Sequence, residues 1–424
     1  MKPVGLTVDA TKDSGYECLT QLLFRGPGPT TALFHGLTLA SAFQPLFSLT
    51  HRRAVGYEGL LRARRKDAAI SPLRVFASVE TEVEAVRLDR LCRLLHLANF
   101  APQDQGDGWL FLNVNVSAVT SEGHYGSFFM EALGASGLAP SRIVIEILES
   151  AVRDRERLTE LIAFYRSLGC LIAIDDFGAG HSNFDRVWSL APDFVKIDRS
   201  ILVNALRDRK VQRMLPGLVS LLHEAGCLVV LEGIETEREA LIAADSDVDF
   251  VQGYLFGRPE ASIDTRSSCP QMNALCADFR RSLGTEAARQ RDHLAGFEKH
   301  FGLALQALRD GIEPQEALSG LLRHPHVLRG YLLDAEGNQI GANYLSVTQA
   351  LNQDPRFAPL ANVTSANWSR RPYFRRAIGH PGVLQTTRPY FSVTDARLVL
   401  TLSQTYCIQE ATAVLCCDVE PADL

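Results

Sequence analysis

Glu58, Asn115, Glu146, Asp175, Asp176, Lys196, Glu232, Glu235 and Gln252 each fall within or at the end of a short apolar run: YEGLLR, NVNVS, VIEILES, IAIDDFGAG, VKIDRS, VVLEGIET and VQGYLFG. Carboxylates with one neutral amide oxygen are hard donors, the set that suits Mg2+ or Mn2+ better than Zn2+ when no His or Cys cluster accompanies it. Two such cations about 3.5–4 Å apart polarise a phosphoryl oxygen, generate hydroxide at neutral pH and stabilise the leaving oxygen. Adjacent Asp175 and Asp176 are the sharpest local sign, because a turn at a strand end can aim both at a shared cation pair. One acidic strand end is ordinarily a loop or helix cap, and only recurrence at successive ends distinguishes a site. The pattern points to a metal-dependent hydrolase.

Residues spread over nearly two hundred positions meet only if the fold gathers strand ends, as a parallel barrel does over one mouth. From FQPLFSLT to VQGYLFG the chain alternates apolar runs with helical stretches at about 72–100, 127–136, 154–168 and 208–225. Alternation of this kind predicts a parallel sheet with helices outside it. Eight strands can be counted, and LTHRR is too short to cross over between the first two, so that pair is expected to be antiparallel. The expected fold is α/β, a modified (β/α)8 barrel with one antiparallel strand; a three-layer open sheet is the alternative.

The domain boundaries expected are 1–38 for an irregular leader rich in Gly and Pro, 39–262 for the barrel, 263–312 for a helical connector and 313–424 for a small α+β domain. Gly284 is a candidate interruption of the connector helix. A net charge of -6 offers no extended track for long nucleic acid, although a small phosphorylated ligand needs only local Arg and Lys. Nine cysteines, scattered and often inside apolar runs, read as free thiols of a reducing compartment. No run approaches the ~18 apolar residues that span a bilayer, and no secretory pattern opens the chain, so a cytoplasmic location with no membrane span is expected.

The segments FQPLFSL, YEGLLR, NVNVS, EILES, DDFGAGHSNF, FVKIDRS, EGIET and QGYLFGRP, in this order and spacing over about residues 40–262, resemble the successive motifs of the EAL-domain cyclic di-GMP phosphodiesterases. The resemblance implies Glu58, Asn115, Glu146 and Asp175 as ligands of a first metal. Asp175 and Asp176 would bind a second, with Glu232, Glu235 and Gln252 acting directly or through water. It further implies Lys196 holding the attacking water, Glu232 as general base, Gln44, Arg62 and Gln252 on the substrate, Arg62 at a phosphate oxygen, and Glu149 steadying the DDFGAG loop. Gly59 stands where the family usually has Ala, a change expected to cost little. Ala179 and His181 replace a common Thr and Tyr, with His181 a loop substitution rather than a ligand.

Beyond residue 313, NWSRRPYFRRAI, RPYFSVTD and VLCCDVE resemble the ligand-binding stretch of Cache and PAS-like sensor modules. That resemblance implies a regulatory domain in which Trp368, Arg370, Tyr373, Arg375 and Tyr390 form a pocket for a small anion or zwitterion. The resulting expectation is metal-dependent hydrolysis of cyclic di-GMP to linear 5'-pGpG with two Mg2+ or Mn2+ ions, in a homodimer. A catalytically weak cyclic di-GMP receptor is the alternative. A barrel lyase using Lys196 as a Schiff base is poorer, since surrounding carboxylates would keep that Lys protonated.

Overall fold

The computed structural model describes residues 15–104, 108–115, 127–148, 155–180, 184–263, 270–348, 363, 365–392, 397–408 and 411–421, and side chains are described outside 155 and 282–295. The chain forms two compact units, residues 1–281 and 282–424.

In the first unit eight strands close a barrel: β1 Leu37–Ser48, β2 Arg53–Arg65, β3 Trp109–Val114, β4 Ile143–Leu148, β5 Leu171–Phe177, β6 Phe194–Ile197, β7 Leu228–Leu231 and β8 Phe250–Val251. β2 to β8 pair in parallel, and β1 closes the ring by pairing antiparallel with both β2 and β8. The turn between β1 and β2 enforces this, as its length requires. Helices α1 Pro72–Ala77, α2 Glu82–Phe100, α3 Ser127–Ser136, α4 Arg155–Ser167, α5 Phe184–Leu190, α6 Arg199–Arg207, α7 Arg209–Glu224 and α8 Glu237–Asp245 connect the parallel strands.

One long helical stretch read from sequence is broken: 72–100 divides because Thr81 accepts the Glu84 N–H and starts a new helix. The stretch at 208–225 is a single helix, α7, capped by Asp208, and it follows a short helix α6 capped by Asp198 that the sequence did not show. The leader packs on the barrel: Thr31–Phe34 pairs with β1, Leu23–Phe24 pairs with Thr31–Phe34, and Leu19 and Ala32 enter the barrel core.

Side chains of a strand alternate between faces, so each barrel strand sends every second residue inward. Leu46, Phe111, Val144, Ala173, Phe194, Val230 and Phe250 make one buried cluster, a plug inside the barrel. Two residues further toward the mouth on the same strands stand Gln44, Asn113, Glu146, Asp175, Lys196, Glu232 and Gln252, and Glu58 faces Gln44 in the ladder. A polar layer therefore rests on an apolar one, shielded from solvent below.

The second unit is built on an antiparallel sheet of β9 Val327–Asp334, β10 Gln339–Leu345, β11 Gln385–Thr386, β12 Tyr390–Ser392, β13 Arg397–Ile408 and β14 Ala411–Val419, in the order β10-β9-β14-β13-β11 with β12 also on β13. Cys416 and Cys417 enter two different apolar clusters, because neighbours on β14 face opposite sides. Helix α9 Pro270–Arg309 is continuous through Gly284; Met272 and Leu275 pack in the barrel core, and Phe297, Phe301 and Leu305 in the core of the second unit. Among the described residues no helix is long and apolar enough to cross a membrane.

Gly59 points outward onto α2, where a Cβ would lie 3.0 Å from the His96 ring. That ring is buried and held by Ser41 at 2.8 Å, so it has little room to yield. The glycine is thus matched to His96, and the substitution is not the neutral one expected from sequence. Gly59→Ala should destabilise the barrel by about 1–3 kcal/mol, as overpacked cores do. Denaturant titration reads this directly, and a smaller residue at 96 should recover the loss.

Candidate active site

Lys196 Nζ is the centre of the polar layer. It lies 2.5 Å from Glu146, 2.6 Å from Glu232, 3.2 Å from Glu58 and 3.3 Å from Asp175, each carboxylate coming from a different strand or strand end. An ammonium has three donors, so four carboxylates cannot all be well bonded. Glu146 and Glu232 supply the two nearest oxygens. Gln252 donates to Glu58 at 2.9 Å, and Asn113 Nδ2 donates to Glu58 and Glu146 at 3.1 and 3.0 Å.

Asp176 joins from the end of β5. Consecutive strand residues ordinarily diverge, but Asp176 adopts φ 56 at a register irregularity between β5 and β6. Its N–H donates to Asp175 Oδ1 at 3.0 Å. Oxygens of Asp175, Asp176 and Glu232 lie within 4.8 Å of one another, close enough to share a cation.

Five carboxylates against one ammonium leave four negative charges in a largely buried layer. Protons absorb part of the excess. Burial, aided by Asp175 and Glu58, raises Glu232 to about 8 against the opposing pull of Lys196. Burial and then Asp175 raise Asp176 to about 6. Glu146 is raised well above the usual carboxylate range, chiefly by burial. Glu58 is lowered: burial opposes, but Lys196, Gln252 and Asn113 together prevail. Lys196 is held charged by the carboxylates in spite of its burial. Two divalent cations would cancel the four charges, and every donor is hard oxygen, so the residues fit such a pair.

Three residues assigned from sequence stand apart from the carboxylates around Lys196. The Asn113 amide touches the Glu58 and Glu146 carboxylates; Asn115 lies one pleat further out, its backbone N–H donating to Asp89 Oδ1 at 2.9 Å. Turning the Asn113 amide over would present its oxygen to a cation. Glu235 is outside the Asp175, Asp176 and Glu232 group and is ion-paired with Arg199, which draws its pKa down. Arg62 is exposed on β2 and bonds the carbonyl of Leu61 at 2.9 Å. Glu149 and His181 lie outside the described residues. Gln44, Glu58, Arg199, Glu232, Gly233, Glu235, Gln252, Gly253 and Tyr254 line a cavity of about 260 Å3 beside the layer. Arg199 and Tyr254 escaped the sequence reading because an exposed Arg or Tyr after a strand is ordinary surface.

In the second unit Trp368, Tyr373 and Tyr390 line a cavity of about 20 Å3, room for a water molecule or so. Arg370 and Arg375 do not line it, since both are exposed; its cations are Arg329 and Arg371. Arg329 pairs with buried Asp418 at 2.6 Å, and Asp418 also accepts from Thr401 at 2.7 Å.

Metal-free protein should lose stability as pH rises from about 5 to 8. Carboxyls whose folded pKa is raised keep their protons in the native state after the unfolded chain has ionised, so stability falls from the unfolded pKa upward and the loss is complete only above the folded value. Added Mn2+ should raise Tm more at pH 8 than at pH 5, with protons released on binding. Scanning calorimetry across pH with and without Mn2+ measures both; a metal-free Tm that climbs over this window would contradict the charge account.

Comparison with known proteins agrees with the fold. YkuI of Bacillus subtilis, a protein with an EAL domain, is 27% identical over 345 residues, 78% of this chain and 82% of its own. Its crystal structure with cyclic di-GMP and calcium superposes with TM-score 0.77 at 23% identity, covering 91% of this chain and 97% of that one. The chain spans 51% of itself and only 43% of the probable cyclic di-GMP phosphodiesterase PdeN of Escherichia coli, at 30% identity. A manganese and cyclic di-GMP complex of Klebsiella pneumoniae BlrP1 matches with TM-score 0.50 at 25% identity, over 59% of this chain and 65% of that one. The EAL domain model itself matches residues 31–259, more than half of the sequence, and the chain belongs to the EAL domain family.

Proposed function

We propose that the barrel hydrolyses cyclic di-GMP to linear 5'-pGpG. The observation that carries this reading is Lys196 Nζ within 3.3 Å of carboxylates from β2, β4, β5 and the end of β7, with Asp176 alongside. Cyclic di-GMP is bound in the structures of YkuI and BlrP1, and PdeN is named as its probable phosphodiesterase. Mg2+ or Mn2+ ions held by Glu58, Asn113, Glu146, Asp175, Asp176 and Glu232 would neutralise the layer and polarise phosphate and water.

The chain's own groups do the rest. Glu232, with its affinity for a proton raised by burial, accepts the proton of the attacking water. Lys196, fixed among carboxylates that keep it charged, orients the water and stabilises negative charge developing at phosphorus. Gln252 is held by Glu58 and Gln44 by the Gly257 carbonyl at 3.4 Å, so both reach the cavity from fixed positions. Arg62 is assigned to a phosphate oxygen. The net negative charge of the chain favours a small dinucleotide over long RNA or DNA.

The division 39–262, 263–312 and 313–424 into barrel, connector and regulatory domain is part of the proposal, as are a small-molecule ligand for the last of these and pairing of two copies. The PAS-like reading is supported by an antiparallel sheet with the Arg329 and Asp418 pair beneath Trp368, Tyr373 and Tyr390. A ligand larger than water requires that cavity to open.

Lys196→Met and Glu232→Gln should each lower turnover of cyclic di-GMP by about 100-fold or more while binding persists, the scale typical of a lost charge stabiliser or proton acceptor. Product chromatography with Mn2+, and with EDTA as control, gives the rates. Wild-type protein that binds cyclic di-GMP and yields no pGpG would establish the receptor reading instead.

A further inference from the structure

The second unit carries a charged surface that the hydrolytic chemistry does not use. Between Asp354 and Asp395 the sequence holds six arginines and no acidic residue, in a chain whose net charge is -6. Five of them, Arg370, Arg371, Arg375, Arg376 and Arg388, belong to the described residues, and none forms an ion pair with another described residue. Arg397, just beyond them, has the ordinary arrangement for a surface cation and pairs with Glu420 at 3.4 Å. A single open arginine is ordinary surface, whereas five together concentrate positive potential on one region.

Helix α10, Pro372–Gly379, sets the geometry. It buries Tyr373, Phe374 and Ala377, so its period turns Arg375 and Arg376 to solvent. Arg376 reaches the Thr386 carbonyl at 3.4 Å, which carries the positive surface over β11 toward exposed Arg388. Every one of these cations is Arg, whose planar guanidinium meets phosphate oxygens in pairs and is more weakly hydrated than an ammonium. The turn after the helix adds an apolar tip: Val383 is 55% exposed and Pro381 beside it is exposed too. That turn is held firmly. The Val383 N–H donates to the His380 carbonyl at 3.2 Å, the Gly382 N–H to the Thr405 hydroxyl at 2.7 Å, and the Gln404 amide to the Gly382 carbonyl at 2.6 Å. Gly382 has φ 76, a conformation that favours glycine. A valine held outward on so well bonded a turn adds little to the core.

We propose that this surface docks the second unit on an anionic lipid bilayer, with Arg370, Arg375, Arg376 and Arg388 on phosphodiester headgroups and Val383 entering the acyl boundary. An arginine near an anionic leaflet is worth roughly fivefold in affinity, so a cluster of four or five suffices for reversible attachment. Nucleic acid would answer to the same charge, and two features favour the bilayer. A phosphate backbone has nothing apolar to receive Val383, and α10, about 12 Å long, spans only a few phosphates.

The test uses the full chain with vesicles of phosphatidylglycerol and phosphatidylcholine in equal parts, pure phosphatidylcholine as control, and sedimentation across a salt series. Binding should require the anionic lipid and fall steeply as salt rises. Arg375→Glu with Arg376→Glu should weaken it at least about 25-fold, two lost cations at fivefold each, whereas Arg375→Lys with Arg376→Lys keeps it within about threefold. Val383→Ser should weaken it about threefold or more with the salt slope unchanged, as loss of a partly buried valine does. An unaltered Tm in each variant shows that the fold is intact. A chain that ignores anionic vesicles, or binds neutral ones as well, overturns the proposal, and so does a Glu pair that binds like the parent. Tighter binding of a short DNA duplex at the same salt, lost in the Glu pair, overturns it in favour of a nucleic-acid surface.

Discussion

The charge imbalance around Lys196 is the constraint on which the barrel depends. One ammonium, 1% exposed, faces carboxylates on all sides, and the plug of Phe111, Phe194 and Phe250 keeps water from below. Charges taken out of water must be matched where they stand, because an unpaired buried charge costs several kcal/mol. Lys196 offsets one of them, raised proton affinities at Glu146, Asp176 and Glu232 offset others, and a cation pair would offset all four. Stability, metal binding and proton transfer are therefore linked through one cluster: whatever neutralises it stabilises the barrel, and a base for water emerges when metal charge replaces protons.

Much of this was legible in sequence because strand periodicity is local. On strands β3 to β8 the polar residue of the layer follows an apolar plug residue two positions earlier, as in Phe111 and Asn113, Val144 and Glu146, or Phe194 and Lys196. Applied strictly, that spacing selects Asn113 over Asn115; the motif NVNVS has an amide at both positions and composition cannot choose between them. Asp176 violates the alternation, and only its left-handed backbone explains how two consecutive aspartates reach one site. The pairing of Glu235 with Arg199 was not legible, since the two are 36 positions apart. Gly59 looked neutral because its neighbour His96 comes from another element. In each case the missing information was a contact between elements, which periodicity does not encode.

The second unit shows the same limit more strongly. Aromatic residues Trp368, Tyr373 and Tyr390 could be picked out by type, but the ion pair beneath them joins Arg329 and Asp418 across 89 positions. Nothing local marks Arg329, which reads as one more charge in VLRGYLLD. The two arginines chosen from RRPYFRR instead face solvent, because α10, Pro372–Gly379, buries Tyr373, Phe374 and Ala377. A buried Arg and Asp closed by Thr401 and Ser392 hydroxyls form a fully polar floor under an aromatic wall.

The central claim is that the layer around Lys196 is a site for two cations. Anomalous diffraction from crystals of the protein grown with Mn2+ tests it most directly. The account predicts two peaks about 4 Å apart, bridged by Asp175 and bounded by Glu58, Asn113, Glu146, Asp176 and Glu232, with Lys196 Nζ withdrawn from at least one carboxylate. A layer that remains free of manganese at saturating concentration, with Lys196 still bound to all four carboxylates, would contradict it.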